Sequence, residues 1–139
     1  MSVAEHEAVI RRWLDAWNAK DIDTAVELLA SEYVRHDANP PDVVGPPAQR
    51  EFLDGMFRAF PDLTLRTDRL IAQDNLVAVH LTAHATHRGE FMGIPATERE
   101  ATVQAVDIYR LADGQIAEQW VLIDVLGLMQ QLGALPSPG

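Results

Sequence analysis

The chain has 139 residues, 47% of them apolar, with 11 basic against 21 acidic side chains for a formal charge of -10, and no cysteine. That length suits one domain with a real core, and the charge, with a pI near 4.7, argues against a nucleic-acid or anionic-membrane partner. The missing thiols exclude disulfides and thiolate metal sites and suit a reducing cytoplasm.

From the N-terminus, Val9, Ile10, Trp13, Leu14 and Trp17 recur at spacings of three and four, which predicts an amphipathic helix over 3–18. Ser2 followed by Glu5 reads as its capping box, and Asp21 as the cap of a second, antiparallel helix with Ile22, Ala25, Val26 and Leu29 as its stripe. The opening residues carry charges throughout rather than a leader's apolar run, and no window approaches a membrane span, so a soluble, unprocessed chain is expected. SEYVRHDAN (31–39) reads as a short extended piece and PPDVVGPP (40–47) as a loop, since prolines remove backbone donors. Pro46 and Pro47 suit the first turn of a third helix, with Phe52, Leu53, Met56, Phe57 and Phe60 on one side, ended by Pro61.

The apolar period then falls to two, and 62–75, 76–87, 101–111 and 115–124 read as strands, with Asp113-Gly114 turning the last hairpin. Gly89, Gly93 and Pro95 kink the corner between the middle strands. A brief apolar helix follows Asp124, then a tail over 134–139. The pattern predicts a single α+β domain over 1–139, ordered from about 3 to 133, with three helices on one face of a curved, mostly antiparallel sheet of about four strands. Such a sheet leaves a cone-shaped pocket for a small hydrophobic molecule.

A two-residue turn at 113–114 sets Tyr109 opposite Glu118, Asp107 opposite Trp120 and Val103 opposite Asp124, all on one face unless a β-bulge breaks the parity. Asp124 closes the apolar run WVLIDVLGL. There it is either a buried carboxyl with a raised pKa, fit for acid/base work, or the cap of the next helix. His80 and His84 lie about 13 Å apart on a strand, too far to share a zinc ion, so no metal site is expected. His87 has the opposite parity and points inward beside Val77, Val79 and Leu81, as a substrate contact or a satisfied core residue. His36, next to the proline loop, is a pocket-mouth or a surface histidine. Trp17, Phe57 and Phe60 are core residues that can also wall a pocket.

FPDL (60–63), THRGEFMGIPAT (86–97), IYRLADGQIAEQW (108–120) and DVLGLMQQLG (124–133) resemble, in order and spacing, the SnoaL-like polyketide cyclase or ester cyclase family. The resemblance implies the cone-shaped α+β barrel of the nuclear-transport-factor-like superfamily, assembly as a homodimer or higher oligomer, and an intramolecular aldol reaction without metal or cofactor. It also implies Asp124 as acid/base, His36 as a pocket-mouth histidine assisting it, and Trp120 as the family's hairpin tryptophan. The expected substrate contacts are Trp120, His87, Asp107, Tyr109, Trp17, Phe57 and Phe60. One departure is that no histidine follows His87, so Asp107, Tyr109 or Gln104 would replace a second polar group usual on the strand before the hairpin. The resulting expectation is a cofactor-independent cyclase or isomerase acting on a small hydrophobic, carbonyl-bearing, polyketide-like substrate. The alternatives are an epoxide hydrolase of the same fold, with Asp107 and Asp124 as its pair, and a non-catalytic binder of hydrophobic ligands.

Overall fold

Local signals organise the N-terminal half of the computed structural model, which describes residues 1–38 and 41–136. The Ser2 hydroxyl accepts the Glu5 N–H at 3.1 Å and the Glu5 carboxylate accepts the Ser2 N–H at 3.2 Å, closing the capping box of α1 (Val3–Ala19). Asp21 caps α2 (Ile22–Glu27) through the Thr24 N–H at 3.1 Å. Pro46 and Pro47 open α3 (Pro46–Ala59), where a missing N–H costs nothing. Pro61 follows its cap, Phe60.

The sheet has six strands rather than about four: β1 (Leu29–Asp37), β2 (Val43–Val44), β3 (Thr64–Gln73), β4 (Leu76–Thr86), β5 (Glu100–Ala112) and β6 (Gln115–Ile123), in the order β2-β1-β6-β5-β4-β3. Leu29 belongs to β1 and not to the second helix, because α2 stops at Glu27 and the Leu28 carbonyl is taken by the Ile116 N–H at 2.8 Å. Thus 29–37 becomes a full strand running parallel to β6, while Val43 and Val44 of the proline loop pair with Arg35 and Val34. These pairings are non-local, and no short window of sequence carries them. Residues 39–40 and 137–139, the end of the expected extended piece, the start of the loop and part of the tail, lie outside the described residues.

The β5–β6 hairpin departs from the simple register. Asp113 (φ 51°) and Gly114 (φ 79°) form the tight turn, and Ala112–Gln115 and Leu111–Ile116 pair as a two-residue loop requires. A bulge then intervenes: Arg110 meets Glu118, Tyr109 meets Gln119 and Asp107 meets Val121. Ile116 and Ala117 are consecutive and both fully buried, which an unbroken alternation does not allow. Asp107 and Tyr109 therefore share the helix-covered face with Gln119 and Val121, whereas Glu118, Trp120 and Leu122 turn outward. The single-face grouping of Asp107, Tyr109, Glu118, Trp120 and Asp124 is overturned by one extra residue.

The corner between β4 and β5 is tied to α3. The Arg88 and Gly89 N–H groups both donate to the Ala59 carbonyl, at 2.9 and 3.2 Å, so the corner caps the helix end. A Cβ on Gly89 would lie 2.5 Å from the Arg58 carbonyl oxygen, and only glycine lets the two backbones approach so closely. Phe91 then packs edge-on against Phe60, centroids 5.0 Å apart. Helix α4 (Val125–Gln131) follows β6 and lies over β5. The core is the layer between the helices and the inner sheet face, with Ile10, Trp13, Leu53, Val77, Tyr109 and Ile116 among its most buried members.

Candidate active site

Between helices and sheet lies a cavity of about 110 Å³, measured as the space open to the centre of a water molecule, several times the roughly 10–15 Å³ that one water needs. Its walls are the inward residues of alternating strand positions: Leu81, Ala83 and Ala85 from β4, then Ala101, Val103 and Ala105 from β5. Trp17, Phe52 and Phe60 close the helical side. Bulge and alternation together bring Asp107, Tyr109 and Gln119 to the same interior, joined by Arg35, whose strand pairs it beside Gln119.

These side chains form one buried network. The Tyr33 hydroxyl donates to Gln119 Oε1 at 2.6 Å, and Gln119 Nε2 donates to Asp107 Oδ2 at 3.4 Å. The Tyr109 hydroxyl donates to the same Oδ2 at 3.1 Å while accepting from Trp13 Nε1 at 3.1 Å. Two donors therefore converge on Oδ2, and Asp107 Oδ1 has no partner among the described residues. Burial pushes the Asp107 carboxyl up to about 6, against the downward pull of the Tyr109 hydrogen bond and of the Arg35 charge. Burial likewise drives the Tyr33 and Tyr109 hydroxyls upward, so both remain protonated donors at neutral pH.

The expected site residues separate into three groups. Asp107, Tyr109, Trp17 and Phe60 line the cavity. Phe57 and His87 stand behind it: Phe57 packs edge-on against Trp17 at 5.6 Å, and His87 lies fully buried against Phe60 at 5.5 Å, with Thr97 at its Nδ1. His36, Trp120 and Asp124 lie elsewhere. His36 and Trp120 stack at 5.7 Å on the outer sheet face, where His36 is held between Glu118 (2.6 Å) and Asp42 (3.0 Å). Those hydrogen bonds, Glu118's foremost, raise its pKa. His36 is thus no pocket-mouth group, because the parity of β1 sends Arg35 inward and its neighbour out.

Asp124 is exposed, and its carboxylate accepts the Gly127 N–H at 2.9 Å. It caps α4 outside the cavity lining. The apolar run around it misleads because WVLI alternates between two faces and the chain leaves the sheet at Asp124. Arg35 and Gln119 are functional candidates that the sequence reading did not select. Arg35 shares its strand parity with the apolar Tyr33, a usable signal, whereas Gln119 is visible only once the bulge is placed.

Comparison with known proteins follows the same architecture. The sequence profile of the family described as SnoaL-like polyketide cyclase matches residues 7–132. An aklanonic acid methyl ester cyclase of Streptomyces sp. (strain C5) is 27% identical over 129 residues, covering 90% of this chain and 80% of that one. Among solved structures, AclR from Streptomyces galilaeus superposes with a TM-score of 0.89 at 30% identity, over 99% of this chain and 87% of that one. TsrD from Streptomyces laurentii gives 0.86 at 30% identity, over 97% and 99%.

Proposed function

This chain belongs to the SnoaL-like polyketide cyclase family, and from that premise we propose that it is a cyclase or isomerase of a hydrophobic, carbonyl-bearing substrate, with Asp107 as acid/base. The observation that carries the reading is one carboxyl, pushed up to about 6, with an oxygen that has no partner among the described residues, in an otherwise mainly apolar cavity. A base titrating near neutrality is well matched to moving a carbon-bound proton. Ionised Oδ1 removes a proton from carbon beside a carbonyl, and the C–H pair becomes an enolate. The enolate carbon bonds to a second carbonyl carbon of the same molecule, whose π pair becomes an alkoxide. The alkoxide recovers the proton from Asp107. Atoms and charge balance without an oxidant, a reductant or a second substrate, and the protein's part is to hold the chain folded and keep water out.

The test uses aklanonic acid methyl ester as probe, the compound for which the curated relative is named. Expected is a product of unchanged mass and altered ring count by NMR, and, in heavy water, deuterium at the α-carbon of unreacted substrate as proton removal reverses. Asp107→Asn, checked for folding, should lose about 10²- to 10⁴-fold in turnover. Undiminished turnover in that variant would remove Asp107 from the chemistry, and absence of both product and exchange would reject the cyclase on this substrate class.

One observation favours a second reading. The Arg35–Asp37 ion pair, at 2.8 Å with both side chains largely buried, acts electrostatically on Asp107, making a carboxylate–guanidinium–carboxylate set that could activate water. The expected pair of Asp107 with Asp124 is not assembled. Oxygen-18 from water appearing in the product marks hydrolysis, since an internal aldol incorporates none.

A further inference from the structure

We propose that Arg35 is a second catalytic residue, whose guanidinium holds the substrate oxygen on which negative charge gathers as Asp107 removes a proton. The inference rests on the cyclase reading and adds to it a requirement on the substrate: a carbonyl oxygen placed across the cavity from the reacting carbon.

Among the described residues that line the cavity, Arg35 is the one base and Asp107 the one acid. A guanidinium stays protonated at any working pH. The Arg35 side chain is 9% exposed, and one of its five N–H groups donates to Asp37 at 2.8 Å. Its guanidinium carbon lies 4.2 Å from the centroid of the Phe52 ring. Its Nε has no partner among the described residues. A buried cation that donates to one carboxylate among the described residues retains attraction for a further oxygen, and such donors weigh most in a site shielded from water.

The strand order sets the spacing. Arg35 is registered with Gln119 and Gln119 with Tyr109, so β6 alone separates Arg35 from the strand of Asp107. Strands about 4.8 Å apart put their backbones roughly 10 Å from each other. A carbonyl-bearing ring lying over β6 spans that interval, with its C–H toward Asp107 Oδ1 and its oxygen toward Arg35. Gln119, beneath it, is already engaged by Tyr33 and by Asp107, which leaves Arg35 to receive the charge. The electron pair released from the C–H bond comes to rest on this oxygen and returns to carbon as the new C–C bond forms. No other reactant enters.

The test uses a stable, coloured enolate mimic, 2-hydroxy-1,4-naphthoquinone, and reads the pH at which the bound dye ionises from its absorbance. Wild type should hold the dye as its anion, and Arg35→Gln should raise the bound dye's apparent pKa by about 1–3 units, the influence of a near opposite charge. The double variant Arg35→Gln/Asp37→Asn removes both charges together, so neither is left buried alone, and should show a smaller rise, because the Asp37 carboxylate that opposes the anion is gone as well. Arg35→Lys, which keeps the charge but not the planar fork, should fall between. With aklanonic acid methyl ester, Arg35→Gln should lose about 10²- to 10³-fold in kcat with little change in KM. A bound dye that ionises at the same pH in wild type, Arg35→Gln and the double variant overturns the proposal. Failure of the Asp107 reading looks different: Asp107→Asn keeps its turnover while the dye still responds to Arg35.

Discussion

At Asp107 two effects pull in opposite directions: desolvation favours the neutral acid, while the Tyr109 and Gln119 donors and the Arg35 charge favour the anion. Desolvation wins, and the sign of the consequence for stability follows. A carboxyl raised from 3.8 to about 6 by folding contributes stability that is present below the unfolded value and lost as pH rises through about 6. The loss is on the order of 3 kcal/mol at about 1.4 kcal/mol per unit. Asp107→Asn should therefore gain stability relative to wild type between pH 4 and 7.5, measured as urea midpoints at both pH values. A difference that does not vary with pH would contradict the burial argument. Turnover by wild type should rise as pH passes upward through about 6, because the ionised form is the base. Asp124, by contrast, is a capping residue. Asp124→Ala should cost about 1 kcal/mol, read as a Tm lower by about 2–8 °C, with turnover retained. Loss of turnover at an unchanged Tm would return Asp124 to the chemistry.

The helices were legible because their signals are local: a capping box at Ser2 and Glu5, an aspartate cap at Asp21 and two prolines at the head of α3 all sit within one turn of what they control. Strands β3 to β6 were legible through alternation, and their hairpin through Asp113-Gly114. The parallel β1–β6 pairing was not, since it joins residues more than eighty positions apart. The bulge lies between these extremes. Ile116-Ala117 is an apolar doublet that could mark it, yet an alternation broken once also fits a strand end. At the β4–β5 corner, Gly89→Ala would press a methyl group onto the Arg58 carbonyl, and the backbone can yield only by breaking its tie to Ala59. We expect a cost of about 1–3 kcal/mol, seen as a lower urea midpoint with an unchanged slope. A neutral substitution would mean that the corner does not hold α3.

Over the whole molecule, a cavity kept open by four alanines among its wall residues, Ala83, Ala85, Ala101 and Ala105, forgoes dispersion contacts that larger side chains would supply. Function and stability are therefore opposed there. Ala105→Leu, beside Asp107, should raise the thermal midpoint while cutting turnover of the probe substrate. Turnover retained with a raised midpoint would show that the space is not the substrate's. The outer face differs in kind: Trp120 and Leu122 are exposed, and His36 is tied to Glu118 and Asp42 outside the cavity lining. The sequence by itself determined the α+β class, the order of helices and most strands, the caps and the family, because each rests on short-range periodicity or on motifs in fixed order. Only the tertiary structure decided which aspartate is buried. The side of a sheet on which a residue falls depends on a single bulge, and burial depends on what the helices cover, so Asp107 and Arg35 face inward while Asp124 and His36 do not.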